Sequence, residues 1–224
     1  MLNEGVDESY FRWSRREIAP LLPPQPPRRI LEIGCGSGAT LAWLKSRYPG
    51  AETVGLEGFE PMREQVAKNA DQAIIHDLEQ PLPANLGRFD LILALDVLEH
   101  LRDPAQVLGR VVAQLESGGR VIVSVPNIAH HSVVRDLLFR RRFAYQEAGI
   151  MDRTHLRWFT EGSAVALMNG AGLTVMAGVV NGWTKRRSRL VNLATAGLFK
   201  HFLAEQYIMA GEIGPAQKTV AWAS

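Results

Sequence analysis

The stretch that decides the fold is Arg29–Thr40, which reads RILEIGCGSGAT. Its apolar start has the length and the β-branched content of a buried strand. Three glycines follow, Gly34, Gly36 and Gly38, and a helical pattern of apolar residues begins directly after them. Glycines permit a tight turn and a close approach of the backbone to a ligand. The stretch therefore predicts a strand, a turn that cradles a nucleotide, and a helix.

Further along the chain, apolar runs alternate with helical patterns. This alternation is typical of βαβ units, and continuous apolar strands indicate a parallel sheet that is covered on both faces. We predict an α/β fold, a Rossmann-like and mostly parallel sheet with helices on both faces. A helix is expected to begin at Asp103-Pro104 and to end at Gly118-Gly119, and Thr160 is expected to cap another. The predicted strands are Ile30–Ile33, Glu52–Glu57, Ala73–Asp77, Phe89–Leu95, Arg120–Val125, Leu173–Val180 and Gln206–Ile213.

The composition limits the class of protein. The chain has 224 residues, 46% of them apolar, and a formal net charge of +2, which is too small to indicate nucleic acid. Its single cysteine, Cys35, excludes an internal disulfide framework. We find no signal peptide and no apolar run that could cross a bilayer, so we expect a cytoplasmic protein.

Two regions are expected in the chain. Residues 1–27 are predicted to form a helical cap, with a helix over 7–22, followed by a proline-rich spacer. Residues 28–224 form the main domain, with lid-like insertions at about 127–157 and 185–203. The first insertion is expected to be irregular, and the second to be basic and helical.

The glycine turn alone does not choose a cofactor, because GCGSGA also fits the dinucleotide pattern of an NAD(P)-dependent oxidoreductase. Acidic residues near the turn disfavour the NAD(P)-dependent alternative. Glu32 lies just before the turn, where a carboxylate repels a pyrophosphate but attracts an ammonium group. Glu57 and Asp77 end the next two strands, and these carboxylates can accept from ribose hydroxyls and from an adenine amino group.

With these residues in place, the sequence resembles a class I S-adenosylmethionine (SAM)-dependent methyltransferase. The motifs are ILEIGCGSG at 30–38 and LILALDVLEHLRDP at 91–104, and PNIAHH at 126–131 and DRTHLRWFT at 152–160 are similar to ubiquinone-biosynthesis O-methyltransferases and MetW-like proteins. The resemblance covers about residues 28–180. It implies seven strands in the order 3-2-1-4-5-7-6, with strand 7 antiparallel.

The resemblance also implies a set of site residues. The cofactor-binding candidates share the carboxyl ends of the first four strands: Glu32, Gly34, Gly36, Gly38, Glu57, Asp77, Leu78, Leu95 and Asp96. For Leu78 and Leu95, ordinary core packing is the competing interpretation. His130 and His155 are the candidates for acid–base or acceptor-positioning roles, since a neutral imidazole can take the proton of a hydroxyl acceptor.

The remaining expectations concern ligands and partners. Hard oxygen ligands for a metal are too few, because only Asp96 and Asn127 are evident, so no metal is predicted. We expect a methyl acceptor that is a small molecule, a lipid precursor or a glycan, methylated on oxygen, and we expect no nucleic acid. Basic runs at Arg140–Arg142 and 185–189 suggest peripheral contact with an anionic membrane. A SAM-binding adaptor without catalytic activity is the alternative, and the oligomeric state stays open.

Overall fold

The computed structural model describes residues 13–181, 190, 193–195, 199–215 and 220–223. They build one sheet in the order β3-β2-β1-β4-β5-β7-β6-β8. Strand β7 runs antiparallel to β5 and β6, and every other described pairing is parallel. The strands are β1 Arg29–Ile33, β2 Glu52–Glu57, β3 Gln72–Ile75, β4 Phe89–Leu95, β5 Leu115–Pro126, β6 Leu173–Asn181, β7 Gln206–Ile213 and β8 Ala221–Ala223. The predicted α/β class and the order of the first seven strands are confirmed.

The predicted count of seven strands is wrong by one. Strand β8 adds to the outer edge of β6, where Trp222 lies directly over Gly178 and leaves no room for a Cβ atom there. The indole Nε1–H of Trp222 also donates to Glu161 Oε1 at 2.7 Å. An edge strand with unpaired backbone groups can pair with another chain. Strand β8 covers the edge of β6 where it pairs with that strand.

The connection into β5 also differs from the prediction. Helix α3, Pro104–Val112, ends well before Gly118, and β5 begins at Leu115 rather than at Arg120. Leu115 is buried and pairs with Phe89 at the start of β4. Gly118, with φ of 75°, lies inside the strand next to a break in register, so this glycine marks a bulge instead of a helix end.

The other helices cover the two faces of the sheet. Asp103 caps α3 and Thr160 caps α5, as predicted, the latter through a capping box with Ser163. The insertion after β5 is not wholly irregular, because its apolar and basic residues form α4. Besides α3, the α-helices bounded within the described residues are α1 Ala39–Arg47, α2 Arg63–Asn69, α4 His131–Arg140, α5 Glu161–Gly170 and α6 Lys200–Leu203.

The N-terminal stretch packs on one face of the sheet. A 3₁₀ helix at Arg16–Leu21 buries Ile18 and Leu21 in a cluster with Leu41 and Leu93. Pro20 lies within it and has no backbone N–H to donate, and of the helix predicted over 7–22 the described residues form this 3₁₀ helix. Residues 7–12 lie outside the described residues, and the division at residue 27 stays a prediction.

Two further expectations concern membrane-spanning helices and the basic run at 185–189. No helix in the described part of the chain is both long and apolar enough to span a bilayer. The basic run at 185–189 lies outside the described residues, and of the insertion at 185–203 the structure assigns α6 at its end.

Candidate functional site

The glycine turn lies at the carboxyl end of β1, between β2 and β4, where the connections of the sheet diverge to opposite sides. Gly34 has φ of 63°, and its N–H donates to Leu56 O at 2.7 Å. A Cβ on Gly34 would lie 2.6 Å from Val97 Cγ2. Gly38, with φ of 76°, then begins α1. Open parallel sheets bind their ligands at the carboxyl ends of the strands, where the connections diverge. The glycine turn lies at that place, as the sequence predicts.

Glu57 ends β2 and is held against the turn. Its carboxylate accepts from Gly36 N at 2.8 Å and from Phe59 N at 2.9 Å. Burial raises the pKa of Glu57, and these N–H donors oppose the rise. The backbone therefore fixes the side chain at the mouth of the turn, next to Gly36.

Glu32 is the most unusual group of the site. The side chain is buried in the middle of the sheet, and among the described residues its Oε2 atom has no hydrogen-bond partner. Burial raises its pKa to about 8, while the charge of Arg15 and a hydrogen bond with Thr40 act against that rise. Buried polar atoms are normally hydrogen-bonded or paired with a charge. The unpartnered oxygen of Glu32 is therefore compatible with the binding of a cationic group.

Asp96 follows β4 in a left-handed conformation, with φ of 53°. Its Oδ1 accepts from Ser124 Oγ at 2.8 Å and from the Gln206 amide, and its Oδ2 pairs with Arg15. A non-glycine residue with positive φ carries strain that is often found at functional sites. Arg15, which the sequence did not single out, is thus anchored in the site from 81 residues away.

Three other predicted residues occupy ordinary positions. Asp77 lies beyond the end of β3, which stops two residues earlier than predicted, and its exposed carboxylate accepts from Glu79 N at 2.9 Å. Leu78 and Leu95 are both buried, each in one of the two core clusters. Their positions agree with core packing and leave a contact with a bound cofactor untested.

A cavity of about 640 Å³ adjoins this region at Asp96. Its volume lies within the range of small-molecule sites. His130 and His155 both line the cavity, together with Glu99 and the aromatic side chains Phe143 and Tyr145. The structure therefore brings the two predicted histidines to one space, next to the end of β4.

The two histidines present different nitrogen atoms. His155 is buried, and its Nδ1 lies 3.1 Å from Ile150 O, which can only accept, so the lone pair of the neutral ring is on Nε2. Burial lowers the pKa of His155. His130 caps α4, where its Nδ1 accepts from Ser132 N. His155 is thus arranged as a proton acceptor, and His130 has Nε2–H as a donor.

Glu99 is a functional candidate that sequence reasoning missed. It is 1% exposed, and its Oε2 has no hydrogen-bond partner among the described residues. Burial raises its pKa well above the usual range, and the charge of Asp96 adds to the effect. Its place in the Asp96–Leu101 motif, DVLEHL, was visible in the sequence, but its burial depends on the chain from Thr154 to Arg157, which packs over it: Leu156 N and Arg157 N both donate to Glu99 O.

A sheet with β7 inserted antiparallel between β5 and β6, and a glycine turn after β1 with acids beside it, define the class I SAM-dependent methyltransferase fold. The sequence model of a family described as a methyltransferase domain matches residues 6–177. The chain belongs to this family, and its cofactor is SAM. The predicted dinucleotide alternative is thereby set aside.

The names of known proteins that are similar to this chain indicate different substrates. A demethylmenaquinone methyltransferase from Thermus thermophilus is 31% identical over 55% of this chain and 56% of its own length. A tRNA U34 carboxymethyltransferase from Saccharophagus degradans is 28% identical over 51% and 37%. A Brevibacillus brevis polyketide O-methyltransferase, solved with S-adenosyl-L-homocysteine, shares the fold at a TM-score of 0.56 and 13% identity, covering 86% and 68%. The chain spans about half the length, or less, of these two curated relatives.

Proposed function

We propose that this protein transfers the methyl group of SAM to an oxygen atom of a small molecule that enters the cavity beside Asp96. The observation that supports the proposal is the His155 side chain, a buried and neutral imidazole with its lone pair on Nε2 and a wall position in that cavity. SAM supplies a methyl group on a positively charged sulfur. Such a transfer asks the protein mainly to align two reactants and to exclude water.

The cofactor side would be held by the residues at the ends of β1, β2 and β4. Glu32 would bind the ammonium of the methionine moiety, and its buried, unpartnered Oε2 supports that role. Glu57 would bind the ribose hydroxyls, and Asp77 the adenine amino group. Gly34, Gly36 and Gly38 would leave space for the methionine end, with Leu78 beside the adenine ring and Leu95 and Asp96 on the sulfonium side.

The acceptor side would be held by the two histidines. His130 would donate its Nε2–H to the acceptor oxygen and orient it. His155 would accept the hydroxyl proton as the methyl group moves, a contribution of about 10²–10⁴-fold for a positioned base. Phe143 and Tyr145 pack edge to face, with ring centroids 5.8 Å apart, and form an apolar wall suited to a ring or a short lipid chain.

The test uses methyl incorporation from labelled SAM into a panel of hydroxylated metabolites, lipid precursors and glycans. His155→Asn is expected to lower the turnover by about 10²–10⁴-fold while SAM affinity, measured by calorimetry, stays unchanged. His131→Gln is the matched control, because His131 neighbours His130 on α4 but does not line the cavity. SAM binding without transfer to any acceptor would favour the adaptor alternative, and an unchanged turnover in His155→Asn would remove the base.

Acceptor and partner classes beyond this stay proposals. Absence of nucleic acid is our prediction, and a tRNA-modifying relative makes tRNA the necessary negative control in the panel. Contact with an anionic membrane is supported by α4, where Leu138 and Phe139 are 68% and 78% exposed next to Arg140–Arg142. Cosedimentation should be stronger with phosphatidylglycerol vesicles than with phosphatidylcholine vesicles, and equal binding would contradict it.

A further inference from the structure

One cluster of side chains at the cavity has a chemistry that methyl transfer does not require. Glu99, His100 and His155 each place one ligand atom within 4.8 Å of the others. Glu99 and His155 line the cavity, and His100 lies behind them with its ring centroid 4.8 Å from that of His155. Two imidazoles and one carboxylate are a donor set that binds divalent transition metals.

Hydrogen bonds fix both imidazoles in the form that binds a metal. Thr154 Oγ1 donates to Asp152 Oδ1 at 2.7 Å, so at 3.1 Å it can only accept from His100 Nδ1–H. His155 Nδ1–H donates to Ile150 O. Both rings therefore carry their lone pair on Nε2. Metal-bound histidines nearly always donate the other ring N–H in this way, to a carbonyl or to a group held by a carboxylate.

The spacing of the three ligand atoms is close to that of a metal site. Three points within 4.8 Å of one another fit inside a circle of radius about 2.8 Å, so one position lies at most that far from all three. Zinc–nitrogen and zinc–oxygen bonds measure about 2.0–2.2 Å. Each ligand atom has to move inward by roughly 0.7 Å, a small rotation for side chains of this length. The buried Glu99 Oε2, which has no partner among the described residues, would gain one.

We propose that Glu99, His100 and His155 bind a divalent first-row transition-metal ion such as Zn²⁺, with an open coordination position reached from the cavity. This donor set differs from the oxygen ligands on which the sequence-based expectation of no metal depends. The inference concerns the same cavity as the proposed function, and it adds a consequence. Since the ion would occupy the His155 Nε2 lone pair, metal binding and proton acceptance by His155 exclude each other, and Zn²⁺ is expected to inhibit transfer.

The test is titration of untagged, EDTA-stripped protein with Co²⁺, which reports an ordered protein site by its visible absorption. The wild type is expected to bind one equivalent, displaced by Zn²⁺. Glu99→Gln and His155→Gln should abolish the absorption, with folding verified by circular dichroism. Thr154→Val removes the hydroxyl that accepts from His100 Nδ1–H and donates to Asp152, and it should weaken binding by about 10–100-fold. His131→Gln should bind as the wild type does.

The outcomes separate this inference from the proposed function. No Co²⁺ absorption in folded wild-type protein, or equal absorption in the Glu99 and His155 variants, would overturn the metal site and leave the methyl transfer proposal intact. Stimulation of transfer by Zn²⁺ in a protein that binds Co²⁺ would support the site and overturn His155 as the base.

Discussion

Replacing Glu32 by Gln is expected to stabilise the protein at alkaline pH. In the folded state burial raises the Glu32 pKa from 4.5 to about 8. Between these values the folded protein keeps a proton that the unfolded chain releases, so the stability of the wild type falls as the pH rises through this window. A shift of this size, at about 1.4 kcal/mol per pKa unit, corresponds to roughly 5 kcal/mol of lost stability at full ionisation.

The variant carries a neutral amide of nearly the same shape. Its stability therefore does not fall through ionisation at position 32. At pH 5.5 most of the Glu32 penalty has still to develop, and between pH 5.5 and pH 8 the stability advantage of the variant should grow by about 3 kcal/mol. Urea unfolding of both proteins at the two pH values measures this, and titrating groups that do not interact with Glu32 cancel in the comparison. Glu64→Gln, at an exposed acid on α2, is the control for the change of Glu to Gln itself.

Glu32→Gln should also lower the affinity of the protein for SAM. An ammonium placed beside Glu32 favours the ionised carboxylate, so SAM binding by the wild type at pH 7 should release close to one proton. Calorimetry in buffers of different ionisation enthalpy counts that proton, and Glu32→Gln should release none and bind SAM more weakly. A stability difference that does not change with pH would refute the argument for a protonated, buried Glu32. Equal SAM affinity in both proteins would refute its contact with the cofactor.

Three further substitutions test the frame around the site by urea unfolding. Gly34→Ala should lower the free energy of unfolding by more than the ~1–2 kcal/mol of a left-handed alanine, because its Cβ would also clash with Val97. The control is Gly50→Ala, where a Cβ would meet nothing within 4 Å and the free energy of unfolding should hardly change. Arg15→Met should cost about 1.5–3 kcal/mol through loss of its charged hydrogen bond to Asp96, and the exposed pair of Arg63 with Glu60 serves as the comparison, where Arg63→Met should change little. Thr160→Ala should cost about 1 kcal/mol by removing the capping box of α5, and no loss would mean that the cap is redundant.

Most of the sheet was predictable because its strands are continuous apolar runs. Strands β2, β4 and β7 have the bounds that the sequence predicts. Strand β8 was missed because its three residues, Ala221–Ala223, are too few for a periodicity to show. The start of β5 was missed because Gly118 was interpreted as the end of a helix, and only pairing with β4 decides between a helix end and a bulge.

On the cofactor side, the places of most candidate residues in the fold could be predicted, because these residues directly follow strands, while their roles stay predictions. The acceptor side depends on contacts between distant segments. Arg15 pairs with Asp96, and Glu99 becomes buried only when the chain from Thr154 to Arg157 packs over it. Hydrophobic patterns carry no information on which charged side chain is covered, because the sequence marks all of them as surface residues.

Glu32 lies on the side of the glycine turn and Glu99 on the side of the cavity, and both are buried acids. A buried carboxylate oxygen without a donor lowers the stability of the fold, and an apolar side chain of similar volume is expected to be more stable at either position. Asp96, in contrast, has its charge balanced by Arg15, and its oxygens accept from Ser124 and Gln206. Glu32 and Glu99 feel the charge of Arg15 as well, but among the described residues one oxygen of each has no hydrogen-bond partner. On the two proposals above, the cationic cofactor would bring a further positive charge to Glu32 on the side of the glycine turn, and a metal ion would bring one to Glu99 on the side of the cavity.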